Sequence, residues 1–471
     1  MEPLKTDIVV VGAGPGGYTA AFYAADKGKK VVLVDRAERL GGVCLNYGCI
    51  PSKALLHATK MIREANESHA RGISFGSPKI NLDKLRAWKN SVLEKLAQGL
   101  SGLSQKRGVE VLRGRGHFED SRTVRVETQK GQRFISYEKA IIAVGSSPAM
   151  PPAFDLGNRR VMTSTEALEI EEIPKNLLVV GGGYIGMELG TVYAALGSQV
   201  VLTEALSSTL MGVDSDLVRP VMRYAEKAFF KEVRLNSKVV KMATSGKQIK
   251  VTLTVNGEQR EEIYDRVLVS VGRVPNCKDL GLENTKVTLD EKGYIQVNPQ
   301  RQTADPAIYA IGDVVGGALL AHKASKEARI AVEVITGESS SFDDVIIPAV
   351  VFTDPEIAWC GLTEAEAKDK GITVEVARFP WAASGRALTI DRPDGLTKLI
   401  IEPKTERILG AGIVGAGAGE LISEGVLAIQ MGATAKDVAD SVHPHPTLSE
   451  TLMECAEVFY GYPTHTLARK R

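Results

Sequence analysis

Ile8 to Val11 is an unbroken apolar run that meets Gly12-Ala13-Gly14-Pro15-Gly16-Gly17, an alanine-rich segment, and a second apolar run, Val31 to Val34, ending on Asp35. The pattern returns 169 residues later. Leu177 to Val180 meets Gly181, Gly183 and Gly186, Gly197 stands where Gly28 stood, and Val200 to Leu202 leads to Glu204 in the place of Asp35. Strand, glycine turn, helix, strand and acid, in that order, describe a dinucleotide-binding unit. The first glycine permits a tight turn, the second lets backbone amides approach a pyrophosphate, and the third allows the helix to pack close on the strand. The pyrophosphate is expected at the helix N-terminus, with the acid accepting from a ribose hydroxyl. One glycine fingerprint is a weak signal. Two copies sharing one glycine-to-acid distance point to an α/β chain that holds two dinucleotides.

The acids separate the two sites. Glu204 suits a free ribose 2′-hydroxyl and repels a 2′-phosphate, and Ala205-Leu206-Ser207-Ser208 offers no arginine for that phosphate, so the second site is expected to prefer NAD over NADP. The first site lies just upstream of GGVCLNYGCIPSK, Gly41 to Lys53, where Cys44 and Cys49 stand five residues apart. This is not the spacing of a zinc knuckle, and no second CxxC follows it. A redox disulfide in a small, accessible ring is the better reading, with two unrelated buried cysteines as the alternative. If Cys49 opens a helix, the unpaired amides and macrodipole there favour its thiolate, and Lys53 shares its face four residues on. A nicotinamide delivers a hydride and a disulfide takes up an electron pair, so a flavin is the expected intermediary.

A chain of 471 residues exceeds one core and suggests about three domains. Its 58 Lys and Arg against 57 Asp and Glu, a net charge of +1 without a basic block, argue against a nucleic-acid partner. No apolar run approaches the length of a membrane span, and Met1 to Thr6 leaves no room for a leader peptide before the first strand. Five cysteines in so long a chain fit a reducing compartment in which a disulfide is catalytic, so the cytoplasm is the expected location.

Apolar residues recurring every three or four positions from Leu82 to Leu103 predict a long amphipathic helix ending before Gly108. Val109 to Val126 and Arg133 to Val144 read as strands, and Arg234 to Val255 as a hairpin or meander. Gly145-Ser146-Ser147-Pro148 and Gly272-Arg273-Val274-Pro275-Asn276 read as the entry to and exit from the second nucleotide unit. Ile308 to Ile311 is a further strand ending at Gly312-Asp313, where Asp313 is either a helix cap or a cofactor contact. Beyond Ile346 strand-like and helical pieces alternate, suggesting a separate α+β domain. Its tail carries His443-Pro444-His445-Pro446-Thr447-Leu448-Ser449-Glu450. Glu450 could orient the His445 ring for proton transfer from a thiol, or Thr447 and Glu450 could form a capping box, and both could hold at different atoms.

Taken together, GAGPGG, GGVCLNYGCIPSK, GGGYIGMELG, VGRVPN, YAIGD, FPWAASGRA and HPTLSE resemble, in order and over essentially the whole chain, the flavin-dependent pyridine nucleotide-disulfide oxidoreductases. The resemblance implies two Rossmann-like dinucleotide-binding domains plus a C-terminal α+β dimerisation domain. These divide as an FAD-binding part at 1–147, an NAD-binding part at 148–275, a central part completing the FAD site at 276–346 and an interface part at 347–471. It implies Cys44 as the thiol that meets the substrate, Cys49 as the thiol against the flavin, and Lys53 beside the flavin paired with Glu188. Gly12, Gly14, Gly17, Asp35, Gly145 and Asp313 would serve FAD, with Asp313 on the ribityl chain, and Gly181, Gly183, Gly186, Glu204 and Gly272 would serve NAD. His445 and Glu450 would come from the second subunit of a homodimer. The closest family pattern implies oxidation of protein-bound dihydrolipoamide, with a lipoyl-carrying acyltransferase or carrier protein as partner. Glutathione is disfavoured by the missing arginines after Glu204, and a mercuric activity by a C-terminus, Thr464 to Arg471, without cysteines. A catalytically silent FAD-binding scaffold would need none of Cys44, Cys49, His445 and Glu450.

Overall fold

The computed structural model describes residues 2–467; residue 1 and residues 468–471, the last of the cysteine-free C-terminus, lie outside it. Its first sheet runs in the order Glu110–Arg113, Val31–Asp35, Leu4–Val11, Gly131–Ile142, Thr123–Thr128, Arg115–Asp120. The first four strands are parallel and the last two antiparallel. Strands covered on both faces must be apolar throughout, and Val9, Val10, Val32 and Leu33 are fully buried. Gly131–Ile142 is long enough to serve two neighbours along one edge. Its first half pairs with Thr123–Thr128, and its last three residues pair in parallel with Ile308–Ala310. The segment after the second nucleotide unit thus returns to the first sheet, and its helix Ala321–Ile335 packs on Pro15–Asp26.

The second sheet is wholly parallel, in the order Phe230–Arg234, Gln199–Thr203, Asn176–Val180, Arg266–Val269, Val161–Met162. Beside it the expected meander forms from Ser237–Ser245, Gln248–Val255 and Glu258–Tyr264. Entry and exit meet as an antiparallel pair, Ser146–Pro148 on Arg273–Pro275, which closes the unit at its base. A third, antiparallel sheet runs Ala349–Val351, Glu356–Gly361, Ile408–Gly415, Leu396–Ile401, Glu375–Pro380, covered by helices Ala418–Gln430 and Glu450–Tyr460. The amphipathic helix is Leu82–Lys106, capped by the Asn81 side chain on the Lys84 amide. No helix among the described residues is long and apolar enough to cross a membrane.

Candidate active site

The two glycine turns are built alike, atom for atom. Gly12 and Gly181 lie in the left-handed region at φ +105° and +106°, and a Cβ on either would meet a carbonyl oxygen of the adjoining strand, Ala143 at 2.3 Å or Ser270 at 2.4 Å. A Cβ on Gly17 would sit 1.7 Å from the Gly12 oxygen, and one on Gly186 2.0 Å from the Gly181 oxygen. The middle glycines differ in kind. Gly14 and Gly183 have ordinary φ, −72° and −74°, and a Cβ on Gly14 comes no nearer than 4.0 Å to any neighbour while one on Gly183 meets none. Nothing in the protein requires glycine there, so the open space over each turn fits a pyrophosphate lying against the backbone at a helix N-terminus. The acids also match. Asp35 accepts from the Ala13 and Ala37 amides, and Glu204 accepts from Gly182 at 2.7 Å and Leu206 at 2.9 Å. Each acid therefore ties its glycine turn to the end of the next strand, a second use that the sequence reading did not include.

The cysteine stretch packs directly on the first turn. Gly41 donates its amide to Ala13, and Gly42, at φ +57°, lies so close that a Cβ would meet the Gly14 Cα at 2.6 Å. Two glycines with positive φ reverse the chain into the short helix Gly42–Tyr47 that holds Cys44; Gly48 then breaks it, and Cys49 is the first residue of helix Cys49–Glu67. Both cysteines are thiols in this structure. A hydrogen bond from the Cys44 thiol holds Cys49 down at about 7, against the opposing effect of burial and with help from the Lys53 ammonium. The same bond, together with burial, pushes Cys44 up. The two sulfurs are thus unequal, with Cys49 the more acidic of the pair.

Lys53 is fixed by the second nucleotide unit. Its Nζ lies 2.8 and 3.1 Å from the two oxygens of Glu188, on helix Tyr184–Leu196, whose side chain is 4% exposed. The same carboxylate accepts from Ser52 Oγ at 2.9 Å and from the Phe352 amide at 3.0 Å, and the Phe352 ring lies 4.5 Å from the ammonium. A buried carboxylate must be paired and hydrogen-bonded, and three separate segments meet here to do so. Ser52 and Phe352 escaped the sequence reading. Ser52 has a local signal in its place beside Lys53; Phe352 has none, because it arrives from a distant segment and meets Glu188 through its backbone amide.

Gly12, Gly14, Asp35, Cys44, Cys49, Lys53, Gly145, Glu188 and Asp313 all line one cavity of about 380 Å³. Gly17 lies behind it, at the helix–strand contact. A second cavity of about 950 Å³ shares Gly12, Asp35 and Arg36 with the first, so the two adjoin at the first glycine turn and its acid. Asp313 meets the Ser146 hydroxyl, which also accepts from Arg273 Nε at 2.7 Å. Gly181, Gly183, Gly186 and Glu204 form the separate second turn, with Gly272, at φ +134°, on the exit from that unit.

His445 and Glu450 pair with each other, Nδ1 to Oε1 at 2.9 Å, but neither lines the cysteine cavity of their own chain. The Nδ1 hydrogen facing the carboxylate leaves Nε2 free to accept a proton. The capping box is only half formed. Glu450 Oε2 takes the Thr447 amide at 2.7 Å, whereas the Thr447 hydroxyl turns to the Pro444 carbonyl and Ser449, and the helix starts at Glu450. One oxygen of Glu450 orients the histidine while the other holds the chain ahead of the helix. His443 makes its own pair, Nε2 to Glu424 at 2.7 Å.

Residues 6–328 match the family described as pyridine nucleotide-disulphide oxidoreductase, and residues 347–456 match the dimerisation domain of that family. The chain is 45% identical over 463 residues to a dihydrolipoyl dehydrogenase of Vibrio cholerae, covering 98% of this chain and 97% of that one. It is 46% identical over 461 residues to a dihydrolipoyl dehydrogenase of Haemophilus influenzae, covering 98% and 96%. Among solved structures it is similar to LpdA from Mycobacterium tuberculosis, with a TM-score of 0.89 at 26% identity over 97% of this chain and 99% of that one. It is also similar to the flavoprotein disulfide reductase RclA from Escherichia coli, with a TM-score of 0.86 at 28% identity over 97% and 100%. With two fingerprinted turns, a cysteine pair between them and matches that span nearly its whole length, this chain belongs to the pyridine nucleotide-disulphide oxidoreductases.

Proposed function

We propose that the protein oxidises dihydrolipoamide to lipoamide and reduces NAD+ to NADH, with FAD and NAD as its cofactors. The observation that carries this reading is the unequal cysteine pair lying in one cavity with the first glycine turn and wired through Lys53–Glu188 to the second unit. The FAD site would be made by Gly12, Gly14, Asp35, Gly145 and Asp313, and the NAD site by Gly181, Gly183, Gly186, Glu204 and Gly272. FAD, when bound, supplies the two-electron link between the reduced cysteines and NAD+.

The chain's own residues do the rest. In the oxidised enzyme Cys44 and Cys49 form a disulfide. A substrate thiol gives its proton to Nε2 of His445, contributed by the second subunit and oriented by Glu450, and the thiolate attacks Cys44. The Cys44–Cys49 bond breaks, and the electron pair leaves on Cys49, the sulfur whose thiolate the nearby Lys53 ammonium favours. The second substrate thiol then displaces Cys44, its proton passing to the Cys44 thiolate as that sulfur leaves, so lipoamide is released, both cysteines are reduced, and two electrons and two protons have left the substrate. Lys53 stays fixed by Glu188 as the charge at the Cys49 side of the cavity.

The homodimer supplies the proton acceptor that one chain lacks at its own cavity. The four parts at 1–147, 148–275, 276–346 and 347–471 then act as FAD-binding, NAD-binding, FAD-completing and interface units. A lipoyl-carrying acyltransferase or carrier protein is the natural macromolecular substrate, and a reducing cytoplasm is the setting in which such a disulfide works catalytically. The test is Cys49→Ser in the FAD-loaded dimer, assayed anaerobically with dihydrolipoamide and NAD+. Turnover is expected to vanish while FAD stays bound; retained turnover would remove the cysteine pair from the mechanism. Rapid reduction with glutathione in place of dihydrolipoamide would redirect the substrate assignment.

A further inference from the structure

The turn that presents Asp313 to the cavity is entered and left through glycine. Gly312, directly before Asp313, and Gly316 and Gly317, three and four residues after it, lie in the left-handed region at φ +78°, +75° and +70°, so the short turn Gly312–Val315 hangs between permissive joints. Beneath it, and outside the cavity lining, lie three buried charges. Glu327 Oε2 accepts the Gly312 amide at 2.7 Å. Lys323 Nζ donates to the Gly312 carbonyl at 3.3 Å and to the Gly316 carbonyl at 2.8 Å. Glu327 Oε1 takes both Lys323 and Arg301 at 3.0 Å, and the Arg301 guanidinium lies over the Phe342 ring at 4.6 Å. The Glu327 side chain is 0% exposed, Lys323 6% and Arg301 13%.

Burying three charges is costly, and an apolar trio of similar volume would serve packing at least as well. What the ions do that hydrocarbon could not is grip the backbone. Glu327 fixes the peptide plane before Gly312, and Lys323 fixes the plane between Gly312 and Asp313. The direction in which the Asp313 carboxylate leaves the turn is set by those two planes. We propose that Arg301, Lys323 and Glu327 are positioning residues for FAD, acting by aiming Asp313. The proposal rests on the reading that Asp313 receives the hydroxyls of the FAD sugar chain.

The experiment measures FAD release from the holoenzyme dimer on dilution, by the rise of free-flavin fluorescence, with circular dichroism and melting as fold controls. Lys323→Met and Asp313→Ala are each expected to weaken FAD binding about ten- to a hundredfold, the size of a charge-assisted hydrogen bond. The double variant should be no worse than the poorer single, because the two act in series. Arg301→Gln, which touches the turn only through Glu327 and leaves the Lys323–Glu327 pair intact, should weaken binding about threefold and serves if Lys323→Met does not fold. FAD release unchanged in Lys323→Met and Arg301→Gln, whether or not melting falls, overturns the proposal. Multiplying losses in the double variant overturn the route through Asp313. An Asp313→Ala enzyme that holds FAD normally identifies the Asp313 reading as the fault, separately from the grip on the turn.

Discussion

The two nucleotide units differ least where a ligand is expected and most in the crossover beyond it. Their glycine turns superimpose in logic down to the clash each third glycine avoids, and Asp35 and Glu204 bridge to the turn amides over the same separation. After the acid they part. In the second unit residues 204–229 return to the next strand through one helix, Ser215–Ala228. In the first, residues 36–109 hold the cysteine helices and the long helix before the chain reaches Glu110–Arg113. Chemistry has thus been lodged in a crossover, where the strand ends leave room, while the turn beneath was left unchanged. The difference teaches that the turn is a binding device indifferent to what the bound group does.

The steepest test of that equivalence is steric. Gly17→Ala and Gly186→Ala each drive a methyl into a backbone oxygen, at 1.7 and 2.0 Å, and should each cost at least about 3 kcal/mol, a large part of an ordinary stability. Gly14→Ala and Gly183→Ala meet no such contact and should change stability by less than about 0.5 kcal/mol. Yet the first should lose FAD and the second NAD affinity, each by about tenfold or more. Melting curves and binding isotherms for the four variants decide it; a Gly14→Ala enzyme with normal FAD content would show that the open space there serves something other than the pyrophosphate.

A charge test separates the units again. Glu204→Gln keeps an acceptor for one of the amides at Gly182 and Leu206 but removes the repulsion of a 2′-phosphate. The preference for NAD+ over NADP+, taken from the ratio of kcat/KM values, should shrink by about tenfold or more, since a like-charge juxtaposition costs several kcal/mol. An unchanged ratio would place nucleotide choice elsewhere in the second unit.

What could be read in the sequence and what could not divide along similar lines. The first and third glycines of each turn were legible because positive φ or a forbidden Cβ leaves only one residue type there, whereas Gly14 and Gly183, free of both, were legible only from the repeated spacing. The His445–Glu450 pair was legible because the two stand only five positions apart, although the sequence could not say that the Thr447 hydroxyl would desert the capping box. Ile308 to Ala310 was visible as a strand but not as a member of the first sheet, because pairing partners are fixed by tertiary topology. The shell around Glu188 was the least legible part. Ser52 and the Phe352 amide arrive from segments 300 residues apart, and a backbone donor leaves no trace in side-chain identity. The triad beneath Asp313 was missed likewise, since Arg301, Lys323 and Glu327 read individually as ordinary surface charges.

The smallest effect concerns the asymmetry of the two sulfurs, which the second unit has nothing to mirror. In the reduced enzyme, alkylation of Cys49 by iodoacetamide, tracked by site-resolved mass spectrometry across pH, should have its midpoint at about 7. The sign comes from the charge: a lowered pKa means that the thiolate persists to lower pH, so reactivity is full above the midpoint and falls as pH drops through it. Cys44→Ala removes the hydrogen bond that makes the largest contribution and should move the midpoint toward the ordinary thiol value of about 8.5. Lys53→Met removes a smaller, through-space contribution and should move it in the same direction by less. If Lys53→Met produced the larger displacement, the charge wired in from Glu188 and not the neighbouring thiol would be what sets Cys49 apart. The second unit would then help tune the chemistry of the first as well as supply its nucleotide.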